Sequence, residues 1–356
     1  REDFLLDLSS YYSDLEFRHR LSPFGANDLT YGLNVRFYTD ETEGSEVFHF
    51  DPADRSLMFY RGFIHDEISL IEDVLMLTLG SRFEENEQVG FNALPTARLL
   101  WSLSDRFSVW GGVSYTTGSP SRVYDDLSLN YFSFQDAESG LPVLIRTTGN
   151  DALDSEALVA YETGIWAEPS ESLYLSAVAY YFRYDDVINN TMGEASILAH
   201  ESGLSYLLVP FPYANELEAD SVGFEIALDW SFNKTIQIGA TYGFLQIDAR
   251  PNDSGDLDFV EDAPKHNATL RGHFLVGYAV EADVIVRSVH ELSRSDIDSY
   301  IEGDARLAWF PGGNWELSLI GRNLFDSRHS ELRSSVFTMP LSYIGRSAFL
   351  EVAYKY

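Results

Sequence analysis

Residues 348–356 read Ala348-Phe349-Leu350-Glu351-Val352-Ala353-Tyr354-Lys355-Tyr356, and this stretch decides the fold. Positions 348, 350, 352, 354 and 356 are apolar or aromatic, whereas the positions between them include Glu351 and Lys355. This period of two is that of a β-strand with one apolar and one polar face. It suits a barrel in a membrane, because lipid touches one face of each strand while water or packed polar groups touch the other.

The same alternation recurs along the chain. In residues 217–231, Val222, Phe224 and Ile226 share one face while Glu225 lies opposite. Because charge is costly against lipid, the polar faces are expected to point inward. The pattern predicts about fifteen strands, at 2–22, 28–41, 56–70, 74–86, 93–103, 106–118, 156–167, 171–186, 217–231, 235–249, 265–276, 278–290, 298–310, 314–326 and 343–356.

The connections between the predicted strands fall into two length classes that alternate strictly. Short turns are predicted near residues 25–27, 72–73, 104–105, 169–170, 233–234, 277 and 311–314, and long connections at 42–55, 119–155, 187–216, 250–264 and 327–342. Outer-membrane barrels place short turns in the periplasm and long loops outside. The sequence therefore predicts an all-β fold, an antiparallel transmembrane β-barrel, with a soluble β-sandwich or propeller as the alternative.

Composition narrows the possible functions. The 24 Phe and 21 Tyr supply rings for girdles at two membrane interfaces. The absence of Cys excludes a disulfide framework, a thiolate metal site and a thiol nucleophile. The chain has 56 acidic and 24 basic residues and a formal charge of −32, which makes nucleic acid an unfavourable partner. Outer-membrane lipid is the partner that the alternating strands predict.

Much of the acidity falls in predicted loops, for example at Asp125, Asp126 and Asp136. Solvation by water is the simplest interpretation, and cation bridging to anionic lipid headgroups is the alternative. The segment 252–258, Asn-Asp-Ser-Gly-Asp-Leu-Asp, has oxygen ligands at calcium-like spacing, but its glycine comes too early for the twelve-residue loop pattern. A metal site is therefore left unassigned.

Several segments resemble TonB-dependent outer-membrane receptors, in order along the chain. Residues 63–68 and 75–83 resemble paired strands that carry F-x-Q-D-E and L-T-L-G-x-R in that family, and residues 94–101 and 110–122 resemble its P-S-A-R-L-x-W and S-R-A-x-R-T-P-S-R region. The segment 321–326, Gly-Arg-Asn-Leu-Phe-Asp, resembles the x-N-L-F-D that closes the penultimate strand. Within it, Asn323 and Asp326 are expected to bond their own backbone, while Leu324 and Phe325 bury against neighbours or lipid.

The resemblance implies a barrel of about 22 strands around an N-terminal plug, in the outer membrane of a Gram-negative bacterium. Residues 1–356 are then expected to be the C-terminal portion of the barrel domain, without the plug or the N-terminal strands. An odd strand count also points to a cut within a larger barrel. The implied function is active uptake of a scarce large solute, with a ferric siderophore expected ahead of haem or cobalamin. The TonB complex would act through a plug that is not visible here.

Ligand recognition is expected where the long loops meet inward-facing positions at the outer mouth. Arginine forks suit carboxylate or catecholate oxygens of a ferric chelate, and aromatic rings supply stacking area. The alternative is that the rings pack the loops together or line the lipid interface. The candidates are Arg122, Tyr124, Tyr131, Phe134 and Arg146 in one loop and His200, Tyr206, Phe211 and Tyr213 in another.

The sequence contains none of the common catalytic motifs. There is no Gly-x-Ser-x-Gly elbow, no His-Glu-x-x-His zinc pair and no phosphate loop, and only His49 near Asp51 and His266 near Asp262 offer weak candidates for dyads. No catalytic residue and no cofactor is predicted. A passive porin-like channel or a structural barrel remains the alternative function, because about fifteen strands approach the sixteen to eighteen of porins.

Overall fold

A computed structural model describes residues 6–22, 24–137, 139–199, 203–251, 263–292, 295–332 and 342–355. Within these ranges the first eleven strands are β1 (Asp7–Arg20), β2 (Asn27–Glu43), β3 (Phe48–Phe50), β4 (Asp54–Ile71), β5 (Leu75–Asn86), β6 (Gly90–Ser104), β7 (Phe107–Gly118), β8 (Leu127–Gln135), β9 (Pro142–Thr148), β10 (Glu156–Ser170) and β11 (Leu173–Asn190). The others are β12 (Ser196–Ala199), β13 (Ser205–Asn233), β14 (Ile236–Pro251), β15 (His266–Val276), β16 (Val280–Val289), β17 (Tyr300–Trp309), β18 (Trp315–Arg322), β19 (Arg328–His329), β20 (Ile344–Gly345) and β21 (Ser347–Tyr354).

Helix is confined to α1 (Arg122–Asp126) within the described ranges. In that part of the chain, no helix combines the length and the apolar character needed to cross a membrane.

Long strands form a continuous antiparallel sheet, the barrel wall. Its order is β1, β2, β4, β5, β6, β7, β10, β11, β13, β14, β15, β16, β17, β18 and β21. The predicted all-β antiparallel fold is therefore confirmed, and fifteen strands make up this wall. Where residues are described, β1 pairs only with β2, and β21 only with β18.

The two faces of the wall differ as the alternation predicts. Leu15 of β1 lies opposite Val35 of β2, and both side chains are exposed on the outer face. On the inner face of the same strand pair, Asp14 accepts a hydrogen bond of 2.6 Å from Arg36 Nε. Apolar side chains thus face lipid, while charged ones point inward and pair across neighbouring strands.

Tight turns join the strands at one end of the wall. Gly25, Asp73, Gly277 and Gly313 have φ values of 61°, 58°, 71° and 63°, the left-handed conformation such turns need. Each Trp lies within four residues of a strand end on this same side of the wall, where the tight turns are. An aromatic belt at one membrane interface explains this clustering. Its members are Trp101, Trp110, Trp166, Trp230, Trp309 and Trp315.

The predicted strict alternation of loop length is wrong at one connection. At the end of the wall that carries the long connections, β5 and β6 are joined by residues 87–89 alone. Asn86 closes this turn, because its Oδ1 accepts hydrogen bonds from the backbone N of Gln88 (2.9 Å) and of Val89 (3.0 Å).

The long connections build a second, smaller sheet, here called the loop sheet. β3 and β9 each pair antiparallel with β8, and β9 pairs parallel with residues 207–212 of β13, which also pairs with β12. Because β13 runs on from the loop sheet into the wall, the sheet is held at the rim of the barrel. The described residues of the connections 119–155 and 187–216 therefore form one folded unit.

The apolar core lies mainly around this unit, since the inner face of the wall is polar. Its side chains are almost fully buried, with exposed fractions of 2% for Leu217, 3% for Val143, 4% for Leu153 and 6% for Leu127. The loop sheet is consequently packed and not merely hydrogen-bonded, and it can hold side chains in fixed positions.

Candidate functional site

Five charged residues meet where the loop sheet joins the wall, and they are called here the Arg–Asp cluster. Arg55 Nη1 lies 2.8 Å from Asp125 Oδ2 and 2.9 Å from Asp126 Oδ2. Arg122 Nε lies 3.2 Å from Asp126 Oδ2, and Arg122 also pairs with Asp40. The three carboxylates are buried, with side-chain exposures between 1% and 4%. Charges buried to this degree need the partners that they have here.

Neighbouring segments complete the cluster. Gln88 Nε2 donates to Asp125 Oδ2 at 2.5 Å and to the Pro120 carbonyl at 2.9 Å, which ties in the turn between β5 and β6. Arg122 donates to the Pro52 carbonyl and lies over the ring of Phe50, 5.0 Å from its centroid. The cluster therefore fixes α1, the β3–β4 connection and the rim of the wall relative to one another.

Burial changes the acid chemistry of the cluster. Two guanidinium groups face three carboxylates, and burial raises the pKa of Asp125, with the nearby Asp126 charge adding to the rise and Arg55 opposing it. The expectation that Asp125 and Asp126 are solvated loop charges is wrong. They are buried because the loop folds back onto Arg55, a contact that no local pattern reveals. Asp136 is half-buried and its Oδ2 accepts a 2.7 Å hydrogen bond from the Ser139 backbone.

A cavity of about 380 Å³ opens beside the cluster, and it is called here the arginine cavity. Four arginines line it against one carboxylate, Asp40. The full lining is Arg36, Tyr38, Asp40, Arg55, Leu57, Phe59, Arg61, Gln88, Ser119, Pro120, Ser121 and Arg122. It combines the inner faces of β2 and β4 with the segment that leads into α1.

Arg61 has the least satisfied guanidinium group of this lining. Its Nε is buried without a hydrogen-bond partner, although Glu84 Oε1 lies 3.2 Å away, within ion-pair distance but outside hydrogen-bond geometry. Arg61 also lies over the Phe59 ring, 5.0 Å from its centroid. Tyr38 Oη donates to Asp40 Oδ2 at 2.9 Å. Arginine donors beside aromatic faces suit a ligand with anionic oxygens and flat rings.

The candidates from the sequence are distributed over the cavity and the loop sheet. Arg122 lines the arginine cavity, but its donors are engaged within the Arg–Asp cluster. Tyr124 and Tyr213 meet edge to face with ring centroids 4.9 Å apart. Arg146 Nε donates to Asn130 Oδ1 at 2.7 Å and is not part of the cavity lining. The two predicted loops thus meet through the tyrosine pair and the β9–β13 pairing.

The remaining candidates lie farther from the cavity. Phe134 on β8 is exposed, whereas Tyr206 and Phe211 on β13 are half-buried. Tyr131 lies in β8 with only its backbone described, and His200 falls outside the described residues. None of these side chains is placed against the arginine cavity within the described part of the chain.

Sequence reasoning missed Arg36, Tyr38, Phe59 and Arg61. The available signal was the same period of two, because Arg36, Tyr38 and Asp40 share one face of β2, and Arg55, Leu57, Phe59 and Arg61 share one face of β4. This pattern could have predicted an inner face with arginines at the outer end of β2 and β4. The sequence pattern could not predict that residues 119–122 approach this face and close the cavity.

The two histidines considered for dyads contact other residues than the predicted aspartates. His49 Nδ1 lies 3.1 Å from the Ser45 carbonyl oxygen, and His266 Nδ1 lies 2.8 Å from Tyr242 Oη. Asp262 and the calcium-like segment 252–258 fall outside the described residues.

Comparison with known proteins gives the family. The family model described as TonB dependent receptor-like, beta-barrel matches residues 2–324. An iron-regulated outer membrane virulence protein of Vibrio cholerae is 22% identical over 252 residues, which cover 70% of this chain and 37% of that protein.

Solved structures share the fold at low identity. A siderophore receptor, PirA of Acinetobacter baumannii, has a TM-score of 0.74 at 15% identity, covering 98% of this chain and 55% of that one. A ferric enterobactin receptor, PfeA of Pseudomonas aeruginosa, solved as a mutant with enterobactin, has a TM-score of 0.74 at 16% identity, covering 98% and 54%. This chain thus spans about half the length of these structures. The matched family model and the fifteen-stranded wall together place the chain in the TonB-dependent receptor family, in its β-barrel.

Proposed function

We propose that this chain is part of an outer-membrane receptor for TonB-dependent uptake of a ferric siderophore, and that the arginine cavity binds the chelate. The proposal treats residues 1–356 as a C-terminal portion of the barrel domain. The observation that carries it is the convergence of Arg36 and Arg61 with the rings of Tyr38 and Phe59 in one cavity at the outer rim.

Charge makes this cavity distinctive. The chain has a formal charge of −32, whereas the cavity lining carries four arginines and one carboxylate. Arg55 and Arg122 are paired within the Arg–Asp cluster, so Arg36 and Arg61 are the cations offered to a ligand. Guanidinium groups bind planar oxygen pairs in a bidentate manner, which suits the catecholate or carboxylate oxygens of an iron chelate. The rings of Tyr38 and Phe59 add stacking area at low entropic cost.

The binding test compares receptors that differ only in the cavity. The probe is a ferric catecholate chelate titrated into the purified receptor in detergent, with quenching of tryptophan fluorescence as the signal. Each lost charge-assisted hydrogen bond costs about 1.5–3 kcal/mol, so Arg36→Ala and Arg61→Ala should each weaken binding at least about tenfold. Arg183→Ala is the matched control, since Arg183 is a wall arginine paired with Asp185 at 3.0 Å and lies outside the cavity lining. Equal affinity in all four proteins would contradict the proposed site.

The mode of transport needs a separate measurement. Accumulation of radioactive iron from the chelate by cells that carry the receptor should saturate and should stop when an uncoupler removes the proton gradient. The passive porin-like alternative predicts flux that neither saturates nor responds to the uncoupler. Haem and cobalamin, tested as competitors of the ferric chelate, distinguish the other ligand classes.

A further inference from the structure

We propose that Glu302, His329 and Glu331 bind a divalent transition-metal ion of the zinc type at the outer end of β17. This inference is independent of the proposed uptake function. His329 Nε2 lies 3.3 Å from Glu331 Oε1 and 3.9 Å from Glu302 Oε2, and the three ligand atoms all lie within 4.8 Å of one another. In a tetrahedral site with bonds of about 2.0 Å, neighbouring ligand atoms are about 3.3 Å apart. The donors are therefore close to the spacing that one ion requires.

The imidazole of His329 is held in one orientation. Its side chain is 6% exposed, and its ring stacks on Tyr300 with centroids 4.0 Å apart and an interplanar angle of 12°. On the other edge of the ring, Nδ1 lies 3.4 Å from Asp326 Oδ2 and 3.4 Å from Asn323 Nδ2. With its hydrogen on Nδ1, directed at Asp326, the ring leaves the Nε2 lone pair for a metal, and a carboxylate in this position is the usual support of a histidine ligand. With its hydrogen on Nε2, the ring instead donates to Glu331 Oε1, which is the arrangement without an ion.

The carboxylates also have suitable atoms to offer. Arg287 Nε holds Glu302 Oε1 at 2.6 Å, so that Oε2 is the oxygen that faces His329. Glu331 is 42% exposed, which gives an ion a route from solvent and room for water ligands. One nitrogen with two carboxylate oxygens is a donor set that zinc and neighbouring divalent metals accept.

Local charge and hydrogen bonding favour an added cation. Three carboxylates, those of Glu302, Asp326 and Glu331, approach the single imidazole within 4 Å. Beside them, Asn323 is 1% exposed and its Oδ1 meets no hydrogen-bond donor in the described part of the chain. The polar network is thus incomplete, as expected beside a site that takes an ion and its waters. The competing account is that His329 only makes hydrogen bonds to its neighbours.

The ion would cross-link two parts of the chain. Glu302 belongs to β17, whereas His329 and Glu331 belong to the connection between β18 and β21. Bound metal would hold that connection against the rim of the wall.

Zinc binding to the purified receptor in detergent tests the inference. After removal of metals by a chelator, Zn²⁺ is titrated in competition with a chromophoric chelator. The wild type should bind one equivalent at this site, and loss of a ligand in His329→Ala or Glu331→Gln should weaken binding at least about tenfold. Glu331→Gln is the safer variant for folding because this side chain is more exposed than that of His329. Cobalt(II) should give tetrahedral absorption bands in the wild type that both variants lose.

The control is His65→Ala, since among the described residues one carboxylate, that of Glu67 at 3.5 Å, lies within ion-pair distance of His65. This variant should bind zinc as the wild type does. The inference is overturned if the wild type binds no zinc, or if His329→Ala and Glu331→Gln bind it as tightly as His65→Ala. In the first case His329 serves only in hydrogen bonding, and in the second zinc binds elsewhere.

Discussion

Arg55 donates a 2.8 Å hydrogen bond to Asp125 although 70 residues separate them in the chain. Arg55 stands near the start of β4 at the rim of the wall, and Asp125 lies in α1 at the entrance to the loop sheet. This contact makes a long outer connection part of the folded protein, and it brings Arg122 to the edge of the arginine cavity.

Removal of Arg55 should release the loop sheet. Arg55→Ala leaves Asp125 and Asp126 buried with fewer compensating charges, and breaking a buried ion pair costs about 3–5 kcal/mol. We expect faster hydrogen exchange across β8 and β9 with little change in the wall. Arg106→Ala is the control, because Arg106 is exposed and lies 3.9 Å from an exposed Glu171. Equal exchange in both variants would show that the cluster does not hold the loop.

The stability of this region should depend on pH through Asp125. Burial raises the pKa of this carboxyl above its ordinary 3.8, so the folded state holds the proton more tightly than the unfolded state. Its stabilising contribution is then fully present below pH 3.8 and is lost as pH rises through the raised pKa. The measurement is exchange protection of α1 and β8, corrected for intrinsic rates and compared with Asp125→Asn. The exchange protection of the wild type should fall relative to that of Asp125→Asn as pH rises through this window. A difference in protection that does not depend on pH would contradict a raised pKa of Asp125.

Gly223 should resist substitution within the wall. A Cβ at this position would lie 2.6 Å from the Phe244 carbonyl oxygen and would also collide with the Tyr180 ring. Gly223→Ala should therefore cost about 1–3 kcal/mol through forced movement of backbone and ring. The matched variant is Gly111→Ala on β7, where the nearest atom would be 3.7 Å away. Unfolding in denaturant, followed by tryptophan fluorescence, compares the two, and equal losses would argue against this steric explanation.

The outward face should reject charge. Leu350 on β21 is 76% exposed and lies opposite Leu319 on the lipid-facing side. Leu350→Arg should destabilise the inserted barrel by up to about 2–4 kcal/mol, depending on its depth in the bilayer. Glu351→Arg, on the inward face one residue later, should have a smaller effect. The fraction of folded protein that resists unfolding by detergent without heating measures both, and a larger loss for Glu351→Arg would reverse the assignment of faces.

In the x-N-L-F-D segment, the local sequence predicted one of the observed side-chain hydrogen bonds and not the other. Asp326 Oδ1 accepts a hydrogen bond from the nearby Arg328 backbone N at 3.3 Å, as predicted. Asn323 was expected to bond its own backbone, but its Nδ2 donates to the distant Ile344 carbonyl at 3.1 Å. Leu324 and Phe325 stay partly exposed, at 38% and 61%, with Phe325 covering Gly303 of β17. The hydrogen-bond partner of Asn323 thus comes from β20, which the motif alone does not predict.

The sequence by itself determined the strands of the wall, their faces and their antiparallel arrangement, but not the strands of the loop sheet. Side-chain alternation is local, because successive residues of a strand must face lipid and lumen in turn. Only the tertiary structure decided that Asp125 and Asp126 are buried, that Arg36 and Arg61 share a cavity with Arg122, and that His329 faces Glu302. These contacts join residues far apart in the chain, and their energies depend on burial, which a one-dimensional pattern does not record.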